Sequence, residues 1–118
     1  MTRVSSRSSL DKSLEDPDLV LLIVFGGDGD EADAIHDLAV DKVTQPWRTT
    51  LLLSDRTLLT SAEKSAWKAA AARYVVLGVD DQERRVVSET GPLSDLLLAD
   101  GTPSVLAIRQ AFAAGEQA

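Results

Sequence analysis

The residues best suited to do chemistry come directly after the apolar run Leu19–Phe25, where positions 26–29 read Gly-Gly-Asp-Gly. Glycine allows a positive φ and lets the backbone approach a ligand closely. Asp30 is suited to cap a helix that we predict next, and the amides at a helix start bind anions. The turn is therefore a candidate ligand site. Its candidate residues are Gly26, Gly27 and Asp28.

Two later loops carry groups that could complete such a site. Asp55 and Arg56 follow a second predicted strand, and Asp80 follows a third. In a parallel sheet the carboxyl ends of the strands share one edge, where α/β proteins bind ligands. Arg56 would then anchor a carboxylate or phosphate of the ligand.

The three aspartates at these predicted strand ends also suit a divalent metal. Mg²⁺ and Ca²⁺ prefer oxygen ligands, so the tentative metal site is Asp28, Asp55 and Asp80. The alternative is that these carboxylates only cap turns, because an aspartate side chain accepts hydrogen bonds from free backbone amides. We expect no cofactor unless such a metal binds.

The Gly-Gly-Asp-Gly turn resembles that of lipid kinases of the diacylglycerol kinase type, of NAD kinases and of phosphofructokinases. The resemblance implies a backbone cradle for nucleotide phosphates. It covers four residues, and Asp30 stands where those families continue with threonine. Asp28, Asp30 and Glu31 would also surround a phosphate with negative charge. Like charges ~4 Å apart repel by a few kcal/mol at an effective dielectric constant of about 20. We therefore predict no kinase activity from this turn.

The sequence lacks the residues that several other kinds of chemistry require. There is no cysteine, which excludes disulfides, thiolate catalysis and iron–sulfur clusters. His36 is the only histidine, and we expect it to face solvent among acids. Ser54, His36 and Asp55 form a triad only on paper, since no Gly-x-Ser-x-Gly elbow is present. The residues thus disfavour an enzyme.

The charge of the chain is strongly negative and uneven. Nineteen acids against twelve bases give a net charge of −7, and residues 13–41 contain nine acids without a lysine or arginine. Such a surface repels nucleic acid and anionic membranes. A partner of this part of the chain should be basic.

The elements that position these residues alternate in type. Thr60 and Glu63 match a capping box. Residues 93–99 are ambiguous between a short helix and a strand. Strands are predicted at Leu19–Phe25, Thr49–Ser54, Tyr74–Val79 and Arg84–Ser88, and helices over about 31–43, 61–72 and 103–114.

This order predicts an α/β fold, a three-layer α/β/α sandwich of the Rossmann-like or flavodoxin-like kind. The sheet should be mainly parallel, with four or five strands and an antiparallel edge hairpin. A thioredoxin-like arrangement is the alternative, since Thr102–Leu106 could form a strand after a turn proline. A flexible, serine-rich tail over 1–17 should precede one domain over 18–118.

We expect a cytoplasmic protein, because no apolar signal segment precedes Leu19 and the apolar run is far shorter than the ~20 residues that span a bilayer. The predicted function is that of a non-catalytic acidic domain acting through protein–protein contacts, as small subunit or adaptor of a larger assembly. Its partner would be a basic protein, with homo-oligomers left open. The alternative is a small domain that binds a ligand, nucleotide or divalent metal at the Gly-Gly-Asp-Gly turn.

Overall fold

The computed structural model describes residues 3–4, 6–26, 30–43, 45–53, 55–69 and 72–116. Two single-turn 3-10 helices, Arg56–Leu58 and Leu93–Leu96, join the longer elements. The strands are β1 (Arg3–Val4), β2 (Val20–Phe25), β3 (Arg48–Leu53), β4 (Arg73–Val79) and β5 (Arg85–Pro92), and the helices are α1 (Arg7–Leu14), α2 (Glu31–Lys42), α3 (Ser61–Ala66) and α4 (Val105–Glu116).

The strands form one mixed sheet in the order β1-β3-β2-β4-β5. The central strand β2 pairs with β3 in parallel and with β4 antiparallel, and the two-residue β1 adds a parallel pair beside β3. Our prediction of a mainly parallel, Rossmann-like sheet is therefore wrong.

The length of α3 explains the reversed direction of β4. We predicted a helix up to residue 72, but α3 ends at Ala66 and Lys68 takes a positive φ of 51°. A six-residue helix rises only about 9 Å, whereas a seven-residue strand spans about 23 Å. The chain therefore returns to the end of the sheet that it left, and Arg73 begins β4 opposite Phe25.

Helices cover both faces of the sheet. On one face, α2 and α4 pack over a cluster that includes Ile35, Ile108 and Phe112. On the other, α1 and the segment around α3 contribute Leu10 and Trp67 to a second cluster. Among the helices of the described ranges, none is long and apolar enough to cross a membrane.

The predicted antiparallel hairpin is present as β4 and β5. A thioredoxin-like fold also has a mixed sheet. That alternative was based on a strand at Thr102–Leu106, however, and the structure has no strand there. Pro103 makes only an isolated bridge with Leu97, and α4 begins at Val105. Ser104 sets this start, because its hydroxyl accepts a hydrogen bond from the backbone N–H of Ala107 at 3.1 Å.

Within residues 1–17, where we predicted a flexible tail, the structure has β1 and α1. Ser6 caps α1 by accepting from the N–H of Ser9 at 3.3 Å, and Leu10 is fully buried under the sheet. Arg7 forms a bidentate pair with Glu63 of α3, with Nη2 3.0 Å from Oε2. A single buried leucine in a serine-rich helix is too weak a pattern to reveal this packing from sequence.

The connection from α1 to β2 is held by Arg85 of β5. Its half-buried guanidinium donates to the backbone carbonyls of Ser13, Leu14, Asp16 and Leu19. These carbonyls include two at the end of α1, which have no partner within the helix. Arg85 thereby joins the edge strand to the N-terminal segment.

Candidate functional site

The parallel strands β2 and β3 end side by side, as predicted. The backbone N–H of Gly26 donates to the carbonyl of Leu53 at 3.1 Å. Asp55 and Arg56 follow two and three residues beyond Leu53, so Gly26, Asp55 and Arg56 lie at the same end of the sheet. The other two candidate ligand residues, Gly27 and Asp28, lie outside the described residues.

Asp80 lies at the opposite end of the sheet. Because β4 is antiparallel to β2, its last residues pair near the start of β2, with Leu77 opposite Leu21. The Asp80 carboxylate accepts hydrogen bonds from the N–H groups of Gln82 and Arg84, both at 2.9 Å. These bonds keep the pKa of Asp80 below its usual value. Asp80 caps the β4–β5 turn, and the structure does not bring it together with Asp55.

Asp55 also caps a turn. Its carboxylate accepts from the backbone N–H of Thr57 at 3.0 Å and from the Thr57 hydroxyl at 2.5 Å. The two bonds lower the pKa of Asp55, the hydroxyl bond having the larger effect. The described part of the chain contains no group of three histidine, aspartate or glutamate side chains arranged to hold a metal. Turn capping, our alternative for these acids, accounts for both aspartates.

Arg56 lines an open cleft at this end of the sheet. The cleft has a volume of about 420 Å³. It lies between the 3-10 turn after Asp55 and helix α3, and its walls include Asp55, Arg56, Thr57, Lys64 and Ala69. We define these five residues as the basic cleft. Sequence analysis selected Arg56 but missed Lys64, because Lys64 reaches the cleft only through the position of α3.

A third base, Arg73, lies at the same end of the sheet. It begins β4 opposite Phe25, and its Nε is buried with no hydrogen-bond partner among the described residues. Strand alternation places its side chain on the same face as Val75, the face that α3 covers. Arg73 was invisible as a candidate, since a parallel β4 would have put it at the other end.

A second concave region begins at the N-terminus of α2. Two depressions of about 340 Å³ and about 230 Å³ share Glu31 in their walls. We call the pair the acidic groove. The smaller depression is lined by Ala72, Pro92, Leu93, Ser94 and Leu97 besides Glu31, and the larger by Asp30, Ala34 and Gly101. The floor of the acidic groove is thus largely apolar, and the exposed carboxylates of Asp30 and Glu31 lie at the rim of the groove.

The wall of the acidic groove is a loop fixed by its own hydrogen bonds. The N–H of Leu98 donates to the carbonyl of Thr102 at 2.7 Å, and the N–H of Gly101 donates to the carbonyl of Leu98 at 2.9 Å. Asp100 accepts from the N–H and the hydroxyl of Thr102, which lowers the pKa of Asp100. Gly101 has a φ of +87°, which suits glycine. Leu98 stays 53% exposed in this loop.

His36 is not among the described wall residues of the basic cleft or of the acidic groove. We expected it to face solvent, but it is buried, with Nδ1 3.2 Å from Oδ1 of the exposed Asp37. The prediction failed because α2 packs against both the sheet and α4, which widens its buried face beyond the stripe of Ile35 and Ala39.

A comparison with models of known protein families and one with curated protein sequences give no match for this chain.

Proposed function

We propose that the protein is a non-catalytic domain of the cytoplasm that acts through protein–protein contacts, as small subunit or adaptor of a larger assembly. Its acidic groove would take a basic and partly apolar segment of the partner protein. The observation that carries this proposal is an apolar floor beside two exposed carboxylates, Asp30 and Glu31.

The chemistry of the groove favours lysine or arginine side chains. Both have an aliphatic stem that packs on apolar surface and a charged head that stays in solvent. The stem would lie over Leu93 and Leu97, and the head would reach Glu31. The net charge of −7 and the lack of bases in residues 13–41 add a long-range attraction for a basic partner.

The shape of the groove favours a polypeptide. Two depressions that adjoin at Glu31 suit successive side chains of an extended segment. Leu98 projects from a loop that needs no reordering on binding, and preorganised apolar contacts lose little entropy. Leu98 lies in the loop between the wall residues Leu97 and Gly101 and would add an apolar contact beside the groove.

The test is a titration of the ¹⁵N-labelled full chain with a synthetic peptide of alternating leucine and arginine. We expect saturable shifts of the amides of Glu31, Ala34, Leu97 and Gly101. Leu98→Ser should weaken binding by about fivefold or more, since it removes an interfacial apolar contact worth about 1 kcal/mol. Glu31→Gln should weaken binding by about two- to fivefold, the usual range for an exposed ion pair.

Two variants on α2, the helix that carries Glu31, serve as matched controls. Val40→Ser removes an apolar side chain that is 41% exposed, and Asp41→Asn removes an exposed carboxylate. Both positions lie about 14–15 Å along α2 from Glu31, so they should leave the affinity unchanged. The proposal fails if the controls weaken binding as much as the groove variants. It also fails if a peptide with glutamate in place of arginine binds equally well.

A further inference from the structure

We infer that the basic cleft binds the phosphate group of a small phosphomonoester. This inference is independent of the acidic groove, which lies at the start of α2 and has the opposite charge. It rests on two basic side chains in one cleft, Arg56 and Lys64, on the turn that carries Arg56, and on the size of the cleft.

No carboxylate oxygen of a described residue lies within 4.0 Å of a side-chain nitrogen of Arg56 or Lys64. Some other bases of the described chain are paired, for example Arg48 with Glu116 at 2.6 Å and Arg84 with Asp80 at 3.0 Å, while others, such as Lys68 and Arg109, also make no ion pair with a described residue. Arg56 and Lys64 differ from the other unpaired bases in that both line the wall of one cleft. Their charges are available to an anionic ligand.

Among the described wall residues of the cleft, the one acid, Asp55, is already engaged. The Asp55 carboxylate accepts two hydrogen bonds from Thr57, and these bonds fix the turn that carries Arg56. The described wall residues Arg56, Lys64 and Asp55 together carry a net charge of +1. Arg73 at the same end of the sheet adds to the positive potential.

The side chains and the volume together point to a phosphomonoester. Arginine offers a planar fork that binds phosphate oxygens in a bidentate way, while lysine acts as a point charge. A volume of about 420 Å³ falls within the usual range of small-molecule sites and exceeds what a lone phosphate needs. The remaining space, open and partly polar, suits a small hydroxylated body on the phosphate.

The experiment titrates the ¹⁵N-labelled full chain with glycerol 3-phosphate, and separately with succinate, through the millimolar range. We expect saturable shifts of the amides of Asp55, Thr57, Lys64 and Ala69 with glycerol 3-phosphate. Arg56→Gln should weaken binding by about tenfold or more, and Lys64→Gln by somewhat less, as expected when charged hydrogen-bond donors are removed. Affinity should rise between about pH 5 and pH 7.5, across the second phosphate pKa of about 6.

Matched controls separate this site from a general effect of positive charge. Arg84→Gln and Lys42→Gln each remove one exposed cation away from the cleft and should leave the affinity unchanged. Equal losses in the controls, or no saturable shift with the native chain, would overturn the inference. Succinate binding as tightly as glycerol 3-phosphate would overturn the assignment to a phosphomonoester.

Discussion

At the scale of single residues, several charged groups serve the structure. Asp55, Asp80 and Asp100 each accept hydrogen bonds within a turn, and these bonds lower the pKa of each carboxyl. The threonine hydroxyl has the largest effect at Asp55 and Asp100, and the backbone N–H of Arg84 has the largest effect at Asp80. An aspartate after a strand is equally suited to cap a turn or to bind a metal. The residue types therefore predicted where the polar groups lie but not which of them are free to bind.

Glu63 gives a prediction about pH. The Arg7 hydrogen bond is the main cause of its lowered pKa, and the N–H of Thr60 also donates to it. A lowered folded-state pKa stabilises the fold above the unfolded value of about 4.3, and this stabilisation is lost as the pH falls through the folded value. Glu63→Gln keeps the capping box, so it should cost about 1 kcal/mol at pH 7.

The measurement is urea unfolding of the native chain and of Glu63→Gln at several pH values. The difference in the free energy of unfolding should shrink on acidification and vanish once Glu63 is protonated in both states. Glu83→Gln, an exposed control in the β4–β5 turn, should show little difference at any pH. If the difference in the free energy of unfolding between the native chain and Glu63→Gln stayed constant from pH 7 to strong acid, the ion-pair explanation would be contradicted.

At the scale of elements, sequence patterns located most segments but misplaced some ends. The capping box of Thr60 and Glu63 is confirmed, with both reciprocal hydrogen bonds present. The helix that it opens is shorter than predicted, because the left-handed conformation of Lys68 is a tertiary outcome that no propensity indicates. The last helix, predicted over about 103–114, continues to Glu116, and Gly115 is buried inside it.

Gly115 allows α4 to lie close to the sheet. A Cβ at this position would come within 2.5 Å of Val20 Cγ1 and 2.8 Å of Val76 Cγ1. Helix propensity alone predicts that Gly115→Ala stabilises by up to about 1 kcal/mol. We expect the opposite sign, because overpacking a core costs about 1–3 kcal/mol. Urea unfolding should show a lower free energy of unfolding for Gly115→Ala, whereas Gln110→Ala, exposed on the same helix, should be neutral or stabilising. Stabilisation by Gly115→Ala would disprove the close approach.

At the scale of the whole molecule, local patterns predicted helices on both faces of the sheet but not the direction of β4 relative to β2. A strand that is covered on both faces shows the same run of apolar residues whether it lies in a parallel or in a mixed sheet. β4 is such a strand, with Val75, Val76 and Leu77 fully buried. Its direction depends on how far α3 carries the chain, and that direction moved Asp80 away from the candidate site while placing Arg73 near it. The half of the site on β2 and β3 was predictable because one parallel βαβ unit forms it.

The packing of α1 on the sheet gives the final prediction. Leu10 is fully buried in the cluster beneath β2, with Ile23 and Phe25. Leu10→Ala should lower the free energy of unfolding by about 2–5 kcal/mol, the usual cost of removing a buried leucine side chain. Leu106→Ala is the matched control, since Leu106 also lies on a helix but is 65% exposed. It should change stability by less than about 0.5 kcal/mol. If Leu10→Ala were as neutral as the control in urea unfolding, residues 7–14 would behave as the tail that their composition predicts. A large loss would instead mean that the sheet needs this helix to cover its second face.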